Sequence, residues 1–296
     1  MIMKDSVLFG NGINRVSNDS NSWRDLLDRL MGNHQFDIED LPNTMVYEQI
    51  FMNKYKQPHI SKSDELSIKV KIAETLAEQN TNQLFDSLAS LNIEHYLTTN
   101  YDYTFQKSLS VKPELLSTEE IYSLRRKRRY ELLDGNNKYL WNIHGEIDLP
   151  KTIMLGLDHY CGSLSKLDAY VKGRYKHIVD GKTVEVTPMI DKLKRKEFCN
   201  TSWIDLFFNT NVHILGLSLD YSETDIWWVL NKRARLQLNN KSVENEIYFY
   251  CDGITEEKRK LLNSFGVVVV EEPVLNDGYE SMYQKQIQKI KNNLDS

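Results

Sequence analysis

Short apolar runs rich in strand-forming residues alternate with longer helical patterns along the chain. The predicted strands cover residues 6–9, 93–98, 139–143, 212–215, 247–251 and 267–270. The predicted helices cover residues 23–31, 45–55, 64–91, 119–133, 223–238, 255–265 and 279–294, with Ser22 as a candidate N-cap for the first. Strands that alternate with helices indicate a parallel sheet covered by helices on both faces. We therefore predict an α/β, Rossmann-like fold.

The alternation of strand and helix patterns is less regular between residues 148 and 205, where several glycines and Pro188 interrupt it. We interpret this interval, together with residues 31–91, as helical insertions or a small subdomain. Both would belong to one domain that spans residues 1–296. The C-terminal helix, about residues 279–294, is expected to be part of the same domain.

Polar residues follow directly after four of the predicted strands. These residues are Asn11, Asn100 with Asp102, His144, and Ser218 with Asp220. In an open α/β sheet, ligands bind beyond the carboxyl ends of the strands. We therefore expect the four clusters to converge on one rim of the sheet and to form a binding site there.

The first cluster, Gly10-Asn11-Gly12, joins a predicted strand to a helix. Such a turn can present backbone N–H groups to an anion such as a phosphate, and it can equally be a simple tight turn. In the second cluster, Asn100 and Asp102 can orient a polar ligand from one loop. Alternatively, one of them is the N-cap of a helix over residues 103–109.

The third and fourth clusters also carry two interpretations each. His144 lies beside a glycine that leaves space, a setting suited to proton transfer near neutral pH, although a lone histidine is more often structural. Ser218, Asp220 or Asp225 could bind ribose hydroxyls. Ser218 could instead cap the next helix, and Asp225 could simply be an acid that the first turn of a helix favours.

Charge and composition narrow the class of protein. Lys and Arg total 37 against 42 Asp and Glu, a net charge of -5, which disfavours direct nucleic-acid binding. No apolar run approaches the ~20 residues of a membrane span, and residues 1–4 do not begin a signal peptide. We expect a cytoplasmic protein that has no membrane partner.

The cysteines carry no motif of a zinc or redox site. Cys161, Cys199 and Cys251 are far apart, and no CxxC pair exists, so the sequence predicts neither a zinc ribbon nor a thioredoxin-like site. We also expect no bound metal. Two basic runs, residues 125–129 and 192–196, leave three interpretations open. They are solvated helix faces, surfaces for an acidic partner, or contacts with nucleic acid.

The order of the four motifs resembles the sirtuin-like NAD-binding domains of prokaryotic antiviral defence. The motifs are Gly10-Asn11-Gly12-Ile13-Asn14, Thr98-Thr99-Asn100-Tyr101-Asp102, His144-Gly145, and Gly216-Leu217-Ser218-Leu219 with Asp225-Ile226. The resemblance extends from about residue 6 to about residue 272. It implies an enzyme that cleaves NAD, its substrate, into nicotinamide and ADP-ribose, and that depletes NAD in abortive infection.

The resemblance also implies roles for individual residues. Asn100 and Asp102 would hold the nicotinamide ribose and the attacking water, and His144 would be the general base. Contacts with the cofactor would come from the phosphate loop and from the second motif. The residues are Gly10, Asn11, Gly12 and Asn14 in the loop, and Thr99 in the motif. Gly216, Ser218 and Asp225 would contact the adenosine side.

Because uncontrolled NAD hydrolysis would kill the host, the resemblance implies a gated activity. Control would come from a homo-oligomer or from a second defence protein, namely a translocating ATPase, an Argonaute-like protein or a nucleoside-triphosphate-cleansing protein. Two alternatives stay open: a catalytically silent nucleotide-binding subunit, and an NAD-dependent protein deacylase or ADP-ribosyl transferase. Deacylation is less expected, because the zinc ribbon of protein-deacylating sirtuins has no counterpart here.

Overall fold

The structure, a computed structural model, describes residues 3–17, 20–32, 41–54, 62–116, 121–179, 181–239 and 243–295. Parts of four sequence predictions lie outside the described residues. They are Tyr55 and residues 119–120 of two predicted helices, residues 33–40 and 55–61 of the first predicted insertion, and residue 180 of the second.

The strands and helices alternate along most of the chain. The strands are β1 (Lys4–Phe9), β2 (His95–Thr98), β3 (Glu114–Leu115), β4 (Arg128–Glu131), β5 (Asn137–Asn142), β6 (Lys176–Val179), β7 (Lys182–Glu185), β8 (Thr210–Leu215), β9 (Ile247–Cys251) and β10 (Val267–Glu271). The helices are α1 (Trp23–Met31), α2 (Asn43–Lys54), α3 (Lys62–Ala77), α4 (Gln83–Ala89), α5 (Thr104–Leu109), α6 (Leu157–Val171), α7 (Met189–Arg195), α8 (Trp203–Asn209), α9 (Thr224–Asn239), α10 (Glu256–Ser264) and α11 (Gly278–Leu294).

Eight strands form one mixed sheet in the order β10-β9-β8-β1-β2-β5-β4-β3. The six strands from β10 to β5 are parallel, whereas β4 and β3 add an antiparallel edge. Progress along the chain moves from β1 to β2 and β5 on one side, and then from β8 to β9 and β10 on the other. The direction of strand order therefore reverses between β1 and β8, the place where open α/β sheets bind ligands.

Helices cover both faces of this sheet, as the sequence predicted. One core packs α6 to α9 against the sheet around Trp141, Trp203 and Phe207. The other packs α4, α5 and α11 against the opposite face around Phe9 and Phe85. A third cluster joins α1, α2 and α3 beyond the sheet, next to Tyr101. The α/β, Rossmann-like prediction is confirmed, with the antiparallel edge as an addition.

The prediction of one continuous helix over residues 64–91 is wrong. The chain forms α3 and α4 as separate helices, because the side chain of Asn82 accepts hydrogen bonds from the N–H groups of Leu84 and Phe85 and so begins α4. The predicted insertion over residues 148–205 contains the 15-residue helix α6, α7 and the start of α8, and also a hairpin formed by β6 and β7 that the pattern did not indicate.

The predicted helix over residues 119–133 is wrong. Residues 128–131 form β4 at the sheet edge, and the basic run is not a solvated helix face. Arg126 and Arg128 both pair with the fully buried carboxylate of Glu146, at 3.3 and 2.6 Å. In the second basic run, Lys192 is likewise buried against Asp205. Buried ion pairs therefore account for the positions of Arg126, Arg128 and Lys192.

Among the helices of the described segments, none is both long enough and apolar enough to cross a membrane.

Candidate active site

A cavity of about 910 Å³ lies at the carboxyl ends of the central strands. Residues that follow β9, β8, β1, β2 and β5 all line it, so it passes over the point where the strand order reverses. Five neighbouring strands span ~19 Å at the usual ~4.8 Å spacing. This volume is in the range of cofactor sites, and the length suits an extended ligand.

Most of the predicted site residues line this cavity. They are Asn11, Gly12, Thr99, Asn100, Asp102, His144, Gly216 and Ser218. The other three do not line it: Gly10 and Asn14 support the two loops at its base, and Asp225 lies behind His144. The convergence of four polar clusters on one rim is therefore what the structure shows.

The glycine turns after β1 and β8 pack directly on each other. The N–H of Gly12 donates to the carbonyl of Gly216 at 2.7 Å. A Cβ atom on Gly10 would lie 2.6 Å from that carbonyl oxygen, and one on Gly12 would lie 2.8 Å from it. Gly216 has a φ of +64°, a conformation that favours glycine. These turns thus form a narrow shelf of backbone that side chains would obstruct.

Asn100 and Asp102 follow β2, and their surroundings differ. The side-chain Nδ2 of Asn100 is buried and has no hydrogen-bond partner among the described residues. Asp102 is fully engaged, because Oδ2 accepts from Asn14 at 2.8 Å and Oδ1 accepts from Thr104. Burial raises the pKa of Asp102, and these hydrogen bonds oppose the rise. Asn100 therefore offers an uncommitted donor to a ligand.

His144 follows β5 and lies between acidic groups. Its Nε2 is 2.9 Å from Oδ2 of Asp225, in the first turn of α9. Its Nδ1 is 3.4 Å from the hydroxyl of Tyr160 and 3.7 Å from Oε2 of Glu223. Burial lowers the pKa of His144, but Asp225 and Glu223 outweigh it and raise the pKa overall. The carboxylate of Asp225 fixes the orientation of the imidazole.

Glu223 and Tyr160 line the cavity beside His144, and the sequence analysis did not select either of them. Glu223 immediately precedes α9 and looked like the first residue of a helix. Tyr160 lies on α6, inside the interval interpreted as an insertion. Burial raises the pKa of Glu223 to about 7, although the His144 imidazole opposes the rise. The acid two residues before Asp225 was the one signal that could have suggested a pair of carboxylates.

The three side chains of His144, Glu223 and Asp225 are also close enough to hold a metal ion, since one ligand atom from each lies within 4.8 Å of the others. The contact between Nε2 and Oδ2 is, however, of hydrogen-bond length, so a metal on Nε2 would have to replace that bond. The absence of a metal therefore stays a prediction.

Comparison with known proteins gives one informative similarity. No family model matches the chain. Over 158 residues the chain is 26% identical to a protein of Cytobacillus dafuensis named NAD(+) hydrolase ThsA. The aligned region covers 52% of this chain and 29% of that protein, so the chain spans less than a third of the relative's length. Half of this chain is thus distantly similar to part of an NAD(+) hydrolase.

Proposed function

We propose that the protein is an NAD glycohydrolase, which cleaves NAD to nicotinamide and ADP-ribose. The observation that carries the proposal is the single cavity that joins the glycine shelf at the strand-order reversal to Asn100 and His144. A dinucleotide needs such a continuous site, with backbone N–H groups for its phosphates and reactive side chains at one end. The similarity to an NAD(+) hydrolase supports the same substrate.

In the proposed complex, the pyrophosphate lies on the shelf formed by Gly12 and Gly216, and Asn11 and Ser218 flank it. The nicotinamide ribose lies toward β2 and β5, where Asn100 donates from its free Nδ2. Asp102 and Thr99 complete that end of the cavity. Gly10 and Asn14 act indirectly, by supporting the loops that carry these groups.

The reaction breaks the bond between the ribose C1′ and the nicotinamide nitrogen, and the electron pair of that bond neutralises the positively charged pyridinium ring. The oxygen of water then bonds to C1′ and releases one proton. Nicotinamide is a good leaving group, so the protein mainly holds the ribose, stabilises positive charge on it and positions water.

His144 serves as a general base on a ribose hydroxyl or on the water, a contribution typically worth ~10²–10⁴-fold. Asp225 orients the imidazole and stabilises its protonated form, the role that a buried carboxylate plays beside a catalytic histidine. Asp225 therefore assists the reaction through His144 and does not contact the adenosine ribose.

We further propose that the activity serves antiviral defence by depleting NAD, in the cytoplasm, under the control of a partner or of oligomerisation. The partner would be a translocating ATPase, an Argonaute-like protein or a nucleoside-triphosphate-cleansing protein. The order of the motifs supports the role in defence. The control follows because unrestrained NAD hydrolysis would kill the cell.

Cellular NAD content tests the proposal. Cells that express the chain together with the proteins encoded beside it should lose NAD during phage infection, and cells with the His144→Ala variant should keep it. If both keep the same NAD content but both resist phage, the chain is instead a silent nucleotide-binding subunit.

A further inference from the structure

Glu223 has an uncommitted acceptor oxygen in the reactive part of the cavity. Its Oε2 atom is buried and has no hydrogen-bond partner among the described residues, although the residue lines the cavity. The same atom lies 3.7 Å from Nδ1 of His144, too far for a hydrogen bond. A buried carboxylate oxygen that lacks a donor is costly, so a donor from the ligand or from water would satisfy it.

The surroundings of Glu223 favour proton exchange near neutral pH. Tyr160 from α6 lies beside the carboxyl group and lowers its pKa, and His144 from the loop after β5 faces it. Asp220 and Asp225 on its own segment, and Tyr101 from the loop after β2, also interact with it electrostatically. Burial and the two aspartates raise the pKa to about 7, and His144 opposes them. A base whose pKa lies near the working pH is effective.

His144 is less available for the same task. Its Nε2 is committed to Asp225 at 2.9 Å, and the two neighbouring carboxylates favour its protonated form. Only Nδ1 faces the cavity side, where the Tyr160 hydroxyl lies 3.4 Å away. With Nε2 bound to Asp225, the His144 imidazole can still form a hydrogen bond to a ribose hydroxyl through Nδ1. Its positive charge, when protonated, stabilises the anionic form of a neighbouring carboxylate.

We propose that Glu223 is a catalytic residue that accepts the proton of the attacking water, which leaves His144 to act on the ribose hydroxyl. The inference rests on the proposed NAD hydrolysis and assigns the base for one step of it. As the bond from C1′ to nicotinamide breaks, a water O–H donates to Oε2. The water oxygen bonds to C1′, and its proton moves to the carboxylate to give a neutral carboxylic acid, which later returns the proton to solvent. The anionic form also stabilises the positive charge on the ribose.

The test compares Glu223→Gln with the wild-type chain, purified alone and together with the proteins encoded beside it. Glutamine keeps the size of the side chain but is not a base. Nicotinamide release is measured from pH 5 to 9, and the Kd of ADP-ribose is measured by calorimetry. Glu131→Gln is the matched control, because Glu131 is exposed at the end of β4 and does not line the cavity. Glu223→Asp tests whether a shorter carboxylate restores part of the rate.

We expect Glu223→Gln to lower nicotinamide release by ~100-fold or more, the size of a general-base contribution. The acid side of the pH profile should lose the contribution of Glu223 and keep only that of His144, ADP-ribose binding should stay within threefold, and Glu223→Asp should recover activity partly. An active wild-type protein with an equally active Glu223→Gln variant would overturn the inference alone. Equal losses of rate and of ADP-ribose affinity would also overturn it, since Glu223 would then only hold the sugar. A wild-type protein that releases no nicotinamide in either setting contradicts the proposed function itself.

Discussion

The two ends of the cavity differ in the groups that line them, backbone at one end and titratable side chains at the other. At the reversal of strand order, the walls are backbone, and the close contact of Gly12 with Gly216 leaves no room for a Cβ atom. At the ends of β2 and β5, the walls are titratable side chains, and His144 lies between Asp225 and Glu223. Both ends lie on one rim of the sheet and line one continuous cavity.

This difference separates binding from chemistry. Adding volume at the glycine shelf should remove affinity for the dinucleotide, because a Cβ atom there would press on the Gly216 carbonyl and displace the two turns that form the shelf. We call the part of the cavity around His144, Asp225 and Glu223 the histidine end. Removing charge there should lower the rate of nicotinamide release and leave the affinity for the dinucleotide largely intact, because those groups act mainly on the transition state. Variants at the two ends therefore should fall into two kinetic classes.

The largest effect is expected for Asp225→Asn. The amide can no longer stabilise a protonated His144, and it can hold the imidazole in the wrong tautomer. Since Asp225 acts through His144, we expect nicotinamide release to fall by ~100-fold or more, as it would on loss of His144, with the Kd of ADP-ribose unchanged within threefold. Single-turnover kinetics and calorimetry measure the two quantities. A loss of affinity as large as the loss of rate would place Asp225 in the binding end.

The next largest effect is expected for Gly12→Ala, where the new methyl group would press on the Gly216 carbonyl and on the hydroxyl of Tyr283. We expect the Kd of ADP-ribose to rise by more than tenfold. Gly135→Ala, in the turn between β4 and β5, is the comparison, because nothing lies within 4 Å of its added Cβ and Gly135 does not line the cavity. It should change the Kd by less than threefold. Equal effects of the two variants would refute a steric role for the shelf.

The sequence identified the shelf well but the histidine end only partly. Residues 6–9 and 212–215 are buried apolar runs followed by glycine, and such local signals predict a strand and a turn. The pairing of His144 with Asp225 joins residues 81 positions apart, so nothing local reveals it. The same limit explains the wrong helix at residues 119–133, since the buried ion pairs of Arg126 and Arg128 with Glu146 depend on the assembled fold.

A smaller effect is expected on the way the stability of the folded protein depends on pH. The raised pKa of Glu223 means that the folded protein holds this proton more tightly than the unfolded chain does. Its stabilising contribution is therefore complete below about pH 4.5 and is lost as the pH rises toward 7. Glu223→Gln removes this loss, so its Tm should exceed that of the wild type by ~2 °C or more at pH 8 and by less at pH 5. Thermal denaturation at both pH values checks the sign, and a constant difference in Tm would contradict it.

The smallest effect is expected from metal removal. Because the 2.9 Å contact between His144 and Asp225 is a hydrogen bond, dialysis against EDTA should change nicotinamide release by less than twofold. Metal analysis of the same samples provides the control. A loss of activity that zinc or another divalent cation restores would show that the histidine end is a metal centre.

The most direct measurement is the release of nicotinamide and ADP-ribose from NAD by the purified chain, alone and with the proteins encoded beside it. The comparison uses Asn100→Ala and His144→Ala, with and without an acetylated peptide. We expect equal amounts of the two products from the wild type, no dependence on the peptide, and a loss of ~100-fold or more in each variant. Release that requires the peptide would indicate a deacylase. No release in any of these mixtures would contradict NAD hydrolysis by this protein.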